Sequence, residues 1–244
     1  MKNLNSLLVA FSMLMATTLC VTSCQNEADG IMSNKADPNV EPRSNPNSAI
    51  YPLTSHPFGK SFDLWTQEFW SAAYALDCEA FGAGQVLTLD NNVVTYFGAL
   101  IIGEVDITIP NKAIFLPIIS ILNDYPCPDP DFEPADGQSL EDFLREGAVA
   151  YIDGLENLEV ILDGVALDNM DNTRSSTSLF YFTGNTELAD CYDPCITGEP
   201  QAGVANGYYI MIKKLGPGQH TLTTRGEYPD FEFAWDVTLN ITVE

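Results

Sequence analysis

Four carboxylates within one short stretch are spaced as cation ligands could be. Asp129, Asp131, Glu133 and Asp136 follow one another at near-alternating positions, and carboxylate oxygens are the ligands that Ca²⁺ prefers. The stretch departs from the standard twelve-residue calcium loop, because Pro134 stands where the sixth-position glycine is needed and no glutamate occupies the twelfth position. A solvated acidic loop is therefore favoured, and calcium bound by these four residues is the only cofactor that the sequence suggests.

Enzymatic chemistry has few candidate residues in this chain. With 34 Asp and Glu residues, the mere presence of paired carboxylates says little, since a glycosidase needs two of them about 5–9.5 Å apart across a cleft. The two histidines, His56 and His220, stand in no recognisable triad, zinc or phosphate-binding motif. His220 lies between a Pro-Gly turn and a strand, where capping the hairpin by hydrogen bonds is favoured over catalysis. No catalytic residue is therefore assigned.

The segment 61–76 is dense in aromatic residues and has helical spacing. Its apolar stripe consists of Phe62, Trp65, Phe69, Ala73 and Leu76. Ser61 can cap the start of this helix, and Trp70 lies beside the stripe. Trp65 and Trp70 are the residues that could offer a stacking platform to a sugar, although an aromatic helix of this kind more commonly packs against a core.

The N-terminus is typical of an export signal. Lys2 precedes an apolar run over residues 7–20, which is too short and too polar to span a membrane. The Val-Thr-Ser triplet before Cys24 resembles the lipobox of bacterial lipoproteins. The resemblance implies cleavage before Cys24, a diacylglycerol on its sulfur and an acylated amine, and two or three acyl chains anchor a protein firmly. We therefore expect residues 1–23 to be a lipoprotein signal peptide, and the protein to be exported and lipid-anchored in the bacterial cell envelope, in the outer membrane with a periplasmic or surface location.

Composition divides the mature chain in two. Residues 24–48 are rich in Asn, Pro, Ser and Asp and hold few large apolar side chains, so they are predicted to be a flexible tether. Residues 49–244 are long enough for one sizeable core. The formal net charge is −24, and removal of the signal takes away Lys2 and no acid. Such a chain repels phosphate backbones, which excludes nucleic acid as a partner.

The cysteines that remain after lipidation of Cys24 and loss of the signal are even in number. Cys78, Cys127, Cys191 and Cys195 in an exported protein favour disulfides, and four cysteines allow three pairings. Because Asp-Pro lies inside the short segment between the last two, we expect Cys191–Cys195 and Cys78–Cys127. Zinc bound by the close pair is the alternative, but it would need further ligands at matching spacing.

The remaining segments alternate as strands do. Short β-rich runs follow residue 84, a second helix begins with the capping sequence at Ser139, and Asp163-Gly164 fits a type I′ hairpin turn. Residues 231–243 alternate apolar and polar side chains throughout, the pattern of a half-buried antiparallel strand. The predicted fold is mainly β: an antiparallel β-sandwich, immunoglobulin-like or jelly-roll-like, with two added α-helices.

Three segments, in the same order, resemble a family of exported hypothetical bacterial proteins. They are His-Pro-Phe-Gly-Lys-Ser at residues 56–61 with the aromatic helix after it, Pro-Asn-Lys-Ala-Ile-Phe-Leu-Pro at 110–117, and Gly-Tyr-Tyr with Leu-Gly-Pro-Gly-Gln-His-Thr within 207–221. The resemblance spans most of 56–244 and implies a shared fold but no established activity. The chain departs from the family at Phe69 and Ala72, where tryptophan is more common, and at Gly216, where proline is usual.

Three functions are consistent with these observations. The favoured one is a non-enzymatic binding module that recognises a glycan or a protein partner, and burial of Trp65, Trp70 and Trp235 would weaken its glycan form. A carboxylate-based, glycosidase-like hydrolase needs a cleft holding two acids with raised pKa values. A purely structural envelope component is the third.

Overall fold

The computed structural model describes residues 46–98 and 103–244, which lie in one compact unit, Asn45–Glu244. Its helices are α1 (Phe62–Tyr74), α2 (Cys78–Ala83), α3 (Leu140–Ile152) and α4 (Leu188–Cys191). Its strands are β1 (Gln85–Asp90), β2 (Val93–Phe97), β3 (Gly103–Ile109), β4 (Ala113–Tyr125), β5 (Glu156–Leu162), β6 (Val165–Ala166), β7 (Arg174–Ser176), β8 (Phe180–Thr183), β9 (Pro200–Ile212), β10 (Gly218–Tyr228) and β11 (Phe233–Val243). The mainly β prediction is confirmed.

The strands form two sheets. The first has the order β1-β2-β4-β9-β7, with β8 also paired to β9, and the second has the order β3-β11-β10-β5-β6. In the centre of the first sheet, β9 is buried at every position from Gln201 to Ile212. Its partner β4 is nearly as buried, which agrees with the continuous apolar run in its sequence, because a strand covered on both faces needs no polar alternation.

Alternate residues of β9 pack against different layers. Tyr208, Ile210 and Ile212 belong to the core between the two sheets. Tyr209 and Met211 point the other way, into an aromatic-rich core beneath α1. Towards the start of the strand, Ala202 and Val204 contact α3, which lies on the same face of β9 as the second sheet. The first sheet is therefore the middle layer, covered by α1 on one side and by the second sheet and α3 on the other.

A bulge in β4 changes which of its side chains face α1. Pairing with β9 is in register up to Pro117 and resumes at Ile119, so Ile118 is an extra residue. Before the bulge Phe115 faces the helix-side core, and after it Leu122 does. The bulge has thus exchanged the faces on which the odd- and even-numbered side chains of β4 lie. Asp124, two residues after Leu122, is therefore directed to the helix side. Pro117 does not end this ladder, which continues displaced by one residue.

Two strand pairs run parallel within sheets that are otherwise antiparallel. These are β2 with β4 and β3 with β11. Between β2 and β4 in sequence comes β3, which belongs to the second sheet. The two predicted helices are α1 and α3, and the short α2 and α4 are additional.

The predicted caps and turn are present. The hydroxyl of Ser61 accepts a hydrogen bond from the Leu64 amide at the start of α1, and that of Ser139 accepts one from the Asp142 amide at the start of α3. Asp163 and Gly164 have φ values of 51° and 75°, and positive φ at both central residues is what a type I′ turn requires.

Candidate functional site

The tryptophans proposed as a stacking platform lie in the core. Trp65 is fully buried, Trp70 and Trp235 nearly so. The indole of Trp65 donates to the carbonyl of Pro57 at 3.1 Å, and that of Trp70 donates to Ser120 Oγ at 3.3 Å. A stacking platform must present a ring face to solvent, so the assignment of Trp65 and Trp70 to ligand binding is wrong. Their rings stabilise the contact of α1 with the first sheet.

The four acidic residues of the predicted calcium loop do not converge. Asp129 Oδ1 accepts a hydrogen bond from the amide of Asp131, and Glu133 accepts one from the hydroxyl of Tyr125. Asp131, Glu133 and Asp136 are exposed. In the ranges 46–98 and 103–244, the group of acidic, His or Cys side chains close enough to share an ion lies elsewhere, at Asp124, Asp193 and Cys195.

The cysteines pair differently from the expectation. The disulfides are Cys78–Cys191 and Cys127–Cys195, with sequence separations of 113 and 68 residues, rather than Cys191–Cys195 and Cys78–Cys127. The reason is local: α4 and the turn after it place Cys191 beside the start of α2 and Cys195 beside the segment that leaves β4. These two cross-links also restrict the unfolded chain more than the expected pairs would, because their sequence separations exceed the 4 and 49 residues of Cys191–Cys195 and Cys78–Cys127.

The N-terminal predictions fall outside the residues that the structure describes. This applies to the signal peptide, to lipid attachment at Cys24 and to most of the tether up to residue 48. Among the residues that the structure describes, no helix combines the length and apolar character needed to cross a membrane.

A surface groove runs between α1, β1 and β8. It has a volume of about 380 Å³ and is lined by Leu64, Gln67, Glu68, Ser71, Ala72, Thr88, Leu89, Phe180 and Tyr181. Leu64 on the helix is 46% exposed and Tyr181 on the strand is 67% exposed. A depression bordered by exposed apolar residues and polar groups is typical of a binding surface. We call this depression the helix groove.

The walls of the helix groove are fixed by polar contacts. The carboxylate of Asp63 accepts hydrogen bonds from the amide and the hydroxyl of Ser178, at 3.1 and 3.0 Å, which joins the start of α1 to the segment before β8. Lys60 contacts Glu68 at 2.7 Å and Asp90 at 3.6 Å, which joins α1 to β1. Sequence reasoning missed this groove because its two sides are brought together by contacts between distant segments.

A second depression lies on the outer face of the second sheet and is lined by residues with polar side chains. It has a volume of about 550 Å³ and is lined by Asp106, Asp163, Gln219, His220, Thr221 and Asn240. Asp106, Asn240 and Thr221 are cross-strand neighbours. His220 Nδ1 is 2.9 Å from Asp163 Oδ2, and Nε2 is 2.9 Å from the carbonyl of Gly216. The predicted capping role of His220 is therefore confirmed.

A close pair of carboxyl groups, one buried and one partly exposed, was not predicted. Asp124 is 4% exposed, and its oxygen lies within 4.8 Å of one from Asp193. Burial, together with the charge of Asp193, raises the pKa of Asp124 to about 8. Asp193 lies inside the Cys191–Cys195 segment that the sequence singled out for its cysteines. No sequence signal pairs it with Asp124, because the two residues meet only through the fold.

No protein-family model matches the chain, and no curated protein and no solved structure matches it either. The assignment of function therefore rests on the chain's own residues and their geometry.

Proposed function

We propose that the protein is a lipid-anchored binding module of the bacterial cell envelope, without enzymatic activity. The N-terminal signal and the lipobox-like sequence before Cys24 support anchoring. The two disulfides support an oxidising compartment outside the cytoplasm. The polar tether would separate the domain from the membrane and so leave its surface free for a partner.

The observation that carries the binding proposal is the exposure of Leu64 and Tyr181, which both border the helix groove. They are the two most exposed of the large apolar side chains that remain at the surface of the described part of the chain. The same lining includes amide, hydroxyl and carboxylate groups from Gln67, Ser71, Thr88 and Glu68. An exposed aromatic ring with hydrogen-bonding groups beside it suits a glycan, whose rings have apolar faces and polar edges. A protein partner that inserts an apolar side chain is the alternative.

The carboxylate arrangement gives less support to a hydrolase. Asp124 and Asp193 are in direct contact, which leaves no space for a glycosidic bond and a water molecule between them. Asp163 in the polar depression is engaged by His220 and by the amide of Thr221. The Asp124–Asp193 pair therefore lacks the separation across a cleft that the hydrolase hypothesis requires.

The test is binding to a glycan panel by the soluble protein lacking residues 1–45, followed by thermal melts. A ligand that binds the native state raises the melting midpoint by mass action. We expect Tyr181→Ala to weaken binding of the selected glycan at least tenfold and Tyr181→Phe to retain most of it, because the ring supplies the contact. Gln219→Ala, on the second sheet, is the control. Equal affinities for Tyr181→Ala and the control would refute the assignment of the helix groove, and binding of a protein alone would select the alternative.

A further inference from the structure

The Asp124–Asp193 pair lies where several elements meet. Asp124 is near the end of β4, and Asp193 is in the turn after α4. Gln201 of β9 donates from Nε2 to Asp124 Oδ2 at 2.8 Å. Tyr74, in the last turn of α1, donates from its hydroxyl to Asp193 Oδ2 at 3.0 Å. A buried cluster of this kind links the turn to both of the layers that pack around it.

The hydrogen bonds indicate which carboxyl group carries a proton. Asp193 accepts on both oxygens, because the amide of Cys195 donates to Oδ1 at 3.0 Å and Tyr74 donates to Oδ2. Asp124 accepts from Gln201 and from its own backbone amide, and its carboxyl group lies within hydrogen-bonding reach of that of Asp193. Two carboxyl groups can share a hydrogen bond only if one holds a proton. Asp124 is buried while Asp193 is partly exposed, and burial favours the neutral form of a carboxyl group, so the proton is assigned to Asp124.

The donors around the pair suit a proton better than a metal ion. The amide oxygen of Gln201 accepts from the backbone and hydroxyl of Thr197, and its nitrogen also donates to the carbonyl of Cys195. The amide orientation is thus fixed, with N–H directed at Asp124. The sulfur of Cys195 is part of a disulfide and is not an anionic ligand.

We propose that Asp124 and Asp193 share one proton in the native protein, and that this proton fastens the turn over residues 191–195 to β4 and α1. The turn carries one half of each disulfide, so its backbone cannot leave the domain when the proton is lost. It can move only locally. Deprotonation at alkaline pH would place two carboxylates side by side where one of them is buried, and the turn would open to separate them. The pair is therefore a pH-sensitive latch, and this proposal does not depend on the proposed binding function.

No cation offsets the two acids in the part of the chain that the structure describes. The titratable groups that face the pair are Tyr74 from α1 and Tyr192 from the turn, both neutral phenols below alkaline pH. The side-chain contacts that act on Asp124 come from Asp193 and Gln201. The raised pKa of Asp124 is consistent with this setting, and it places release of the proton at about pH 8.

The first test is a pH titration of the wild-type protein by NMR, following the Asp124 carboxyl carbon and the amides of Tyr192 and Cys195. We expect the carboxyl to titrate with an alkaline midpoint, and the amides to shift with it. A midpoint near pH 4, the ordinary value for aspartate, would overturn the shared proton. An alkaline midpoint without movement of the amides would overturn the latch.

The second test uses Asp124→Asn, which replaces the protonated carboxyl by a neutral amide that keeps an acceptor for Gln201 and a donor for Asp193. The folded pKa of Asp124 exceeds the unfolded one, so wild-type stability should fall between about pH 4 and pH 8 while the variant lacks this decline. We expect the ratio of the wild-type to the variant unfolding constant to rise by up to tenfold per pH unit in that window. Asp136→Asn, at an exposed carboxylate, is the control and should follow the wild type. A pH-independent ratio would refute the proposal.

Discussion

His220 is held between two hydrogen-bond acceptors, and this makes the hairpin before β10 sensitive to pH. Partial burial lowers the pKa of His220, but the hydrogen bonds to Asp163 and Gly216 and the charge of Asp163 outweigh it, so the pKa is raised overall. Only the imidazolium donates from both nitrogens. The sequence placed His220 at the end of a hairpin, but the acceptors come from the β5–β6 turn and from Gly216, and only the fold shows the first of them.

The stability contributed by His220 should be lost as pH rises. A raised histidine pKa stabilises the native state fully below the unfolded value near 6.5, and that stabilisation disappears as pH passes through the folded value. We expect His220→Gln to lower the free energy of unfolding at pH 5 by up to about 1 kcal/mol, since the pair is partly exposed and screened. Near pH 9 the loss should be much smaller. Guanidinium denaturation at both pH values measures it, and an equal loss at both would contradict the role of the charge.

Among the secondary-structure elements, β4 and β9 show which strands a local sequence pattern can predict and which it cannot. The alternation of β11 was predicted, and the apolar run of β4 is equally visible in the sequence, because burial on one face or two determines which positions are apolar. The start of β9 has no such pattern, because Ala202, Gly203 and Ala205 are too small to indicate a strand. They are small because α3, Phe182 and Leu122 approach this part of the strand closely. The parallel pairs, the disulfide partners and the Asp124–Asp193 contact depend on long-range packing, which no local pattern encodes.

Gly207 is the residue that lets β9 pass the bulge in β4. A Cβ atom there would lie 2.4 Å from the carbonyl oxygen of Ile119 and 2.7 Å from the Cα of Ser120, and neither backbone atom can move without displacing the strand. We expect Gly207→Ala to lower the free energy of unfolding by about 1–3 kcal/mol, the range for overpacking of a well-packed core. Gly216→Ala, where nothing lies within 4 Å of the added atom, is the matched control. Denaturant midpoints compare the two, and equal midpoints would show that the strands at the bulge separate readily.

For the whole molecule, the net negative charge does not favour contact with an anionic membrane. The chain carries 34 acids against 10 Lys and Arg residues, and Lys60, Arg145, Arg174 and Arg225 are each engaged with a carboxylate. A surface of this sign is repelled by anionic lipid head groups. The folded domain therefore contributes no electrostatic attraction to such a membrane. The proposed attachment would rest on acyl chains, which act through apolar burial and not through charge.

Attachment should accordingly depend on Cys24 and should resist salt. We expect the wild-type protein, expressed in a bacterium that processes lipoproteins, to partition into the detergent phase of Triton X-114 and to stay with membranes in concentrated salt. Its N-terminal peptide should carry the added mass of a diacylglycerol. Cys24→Ser removes the sulfur that would bear this lipid, so the variant should lose the mass and leave the detergent phase. Cys20→Ser is the matched control, because it makes the same substitution at a nearby cysteine, in the apolar run over residues 7–20. It leaves the Val-Thr-Ser-Cys sequence intact. Detergent partitioning of Cys24→Ser equal to that of the control would show that the domain reaches the membrane by another route. The tether would then lose its role, since a domain held at the membrane by its own surface needs no spacer to keep the helix groove accessible.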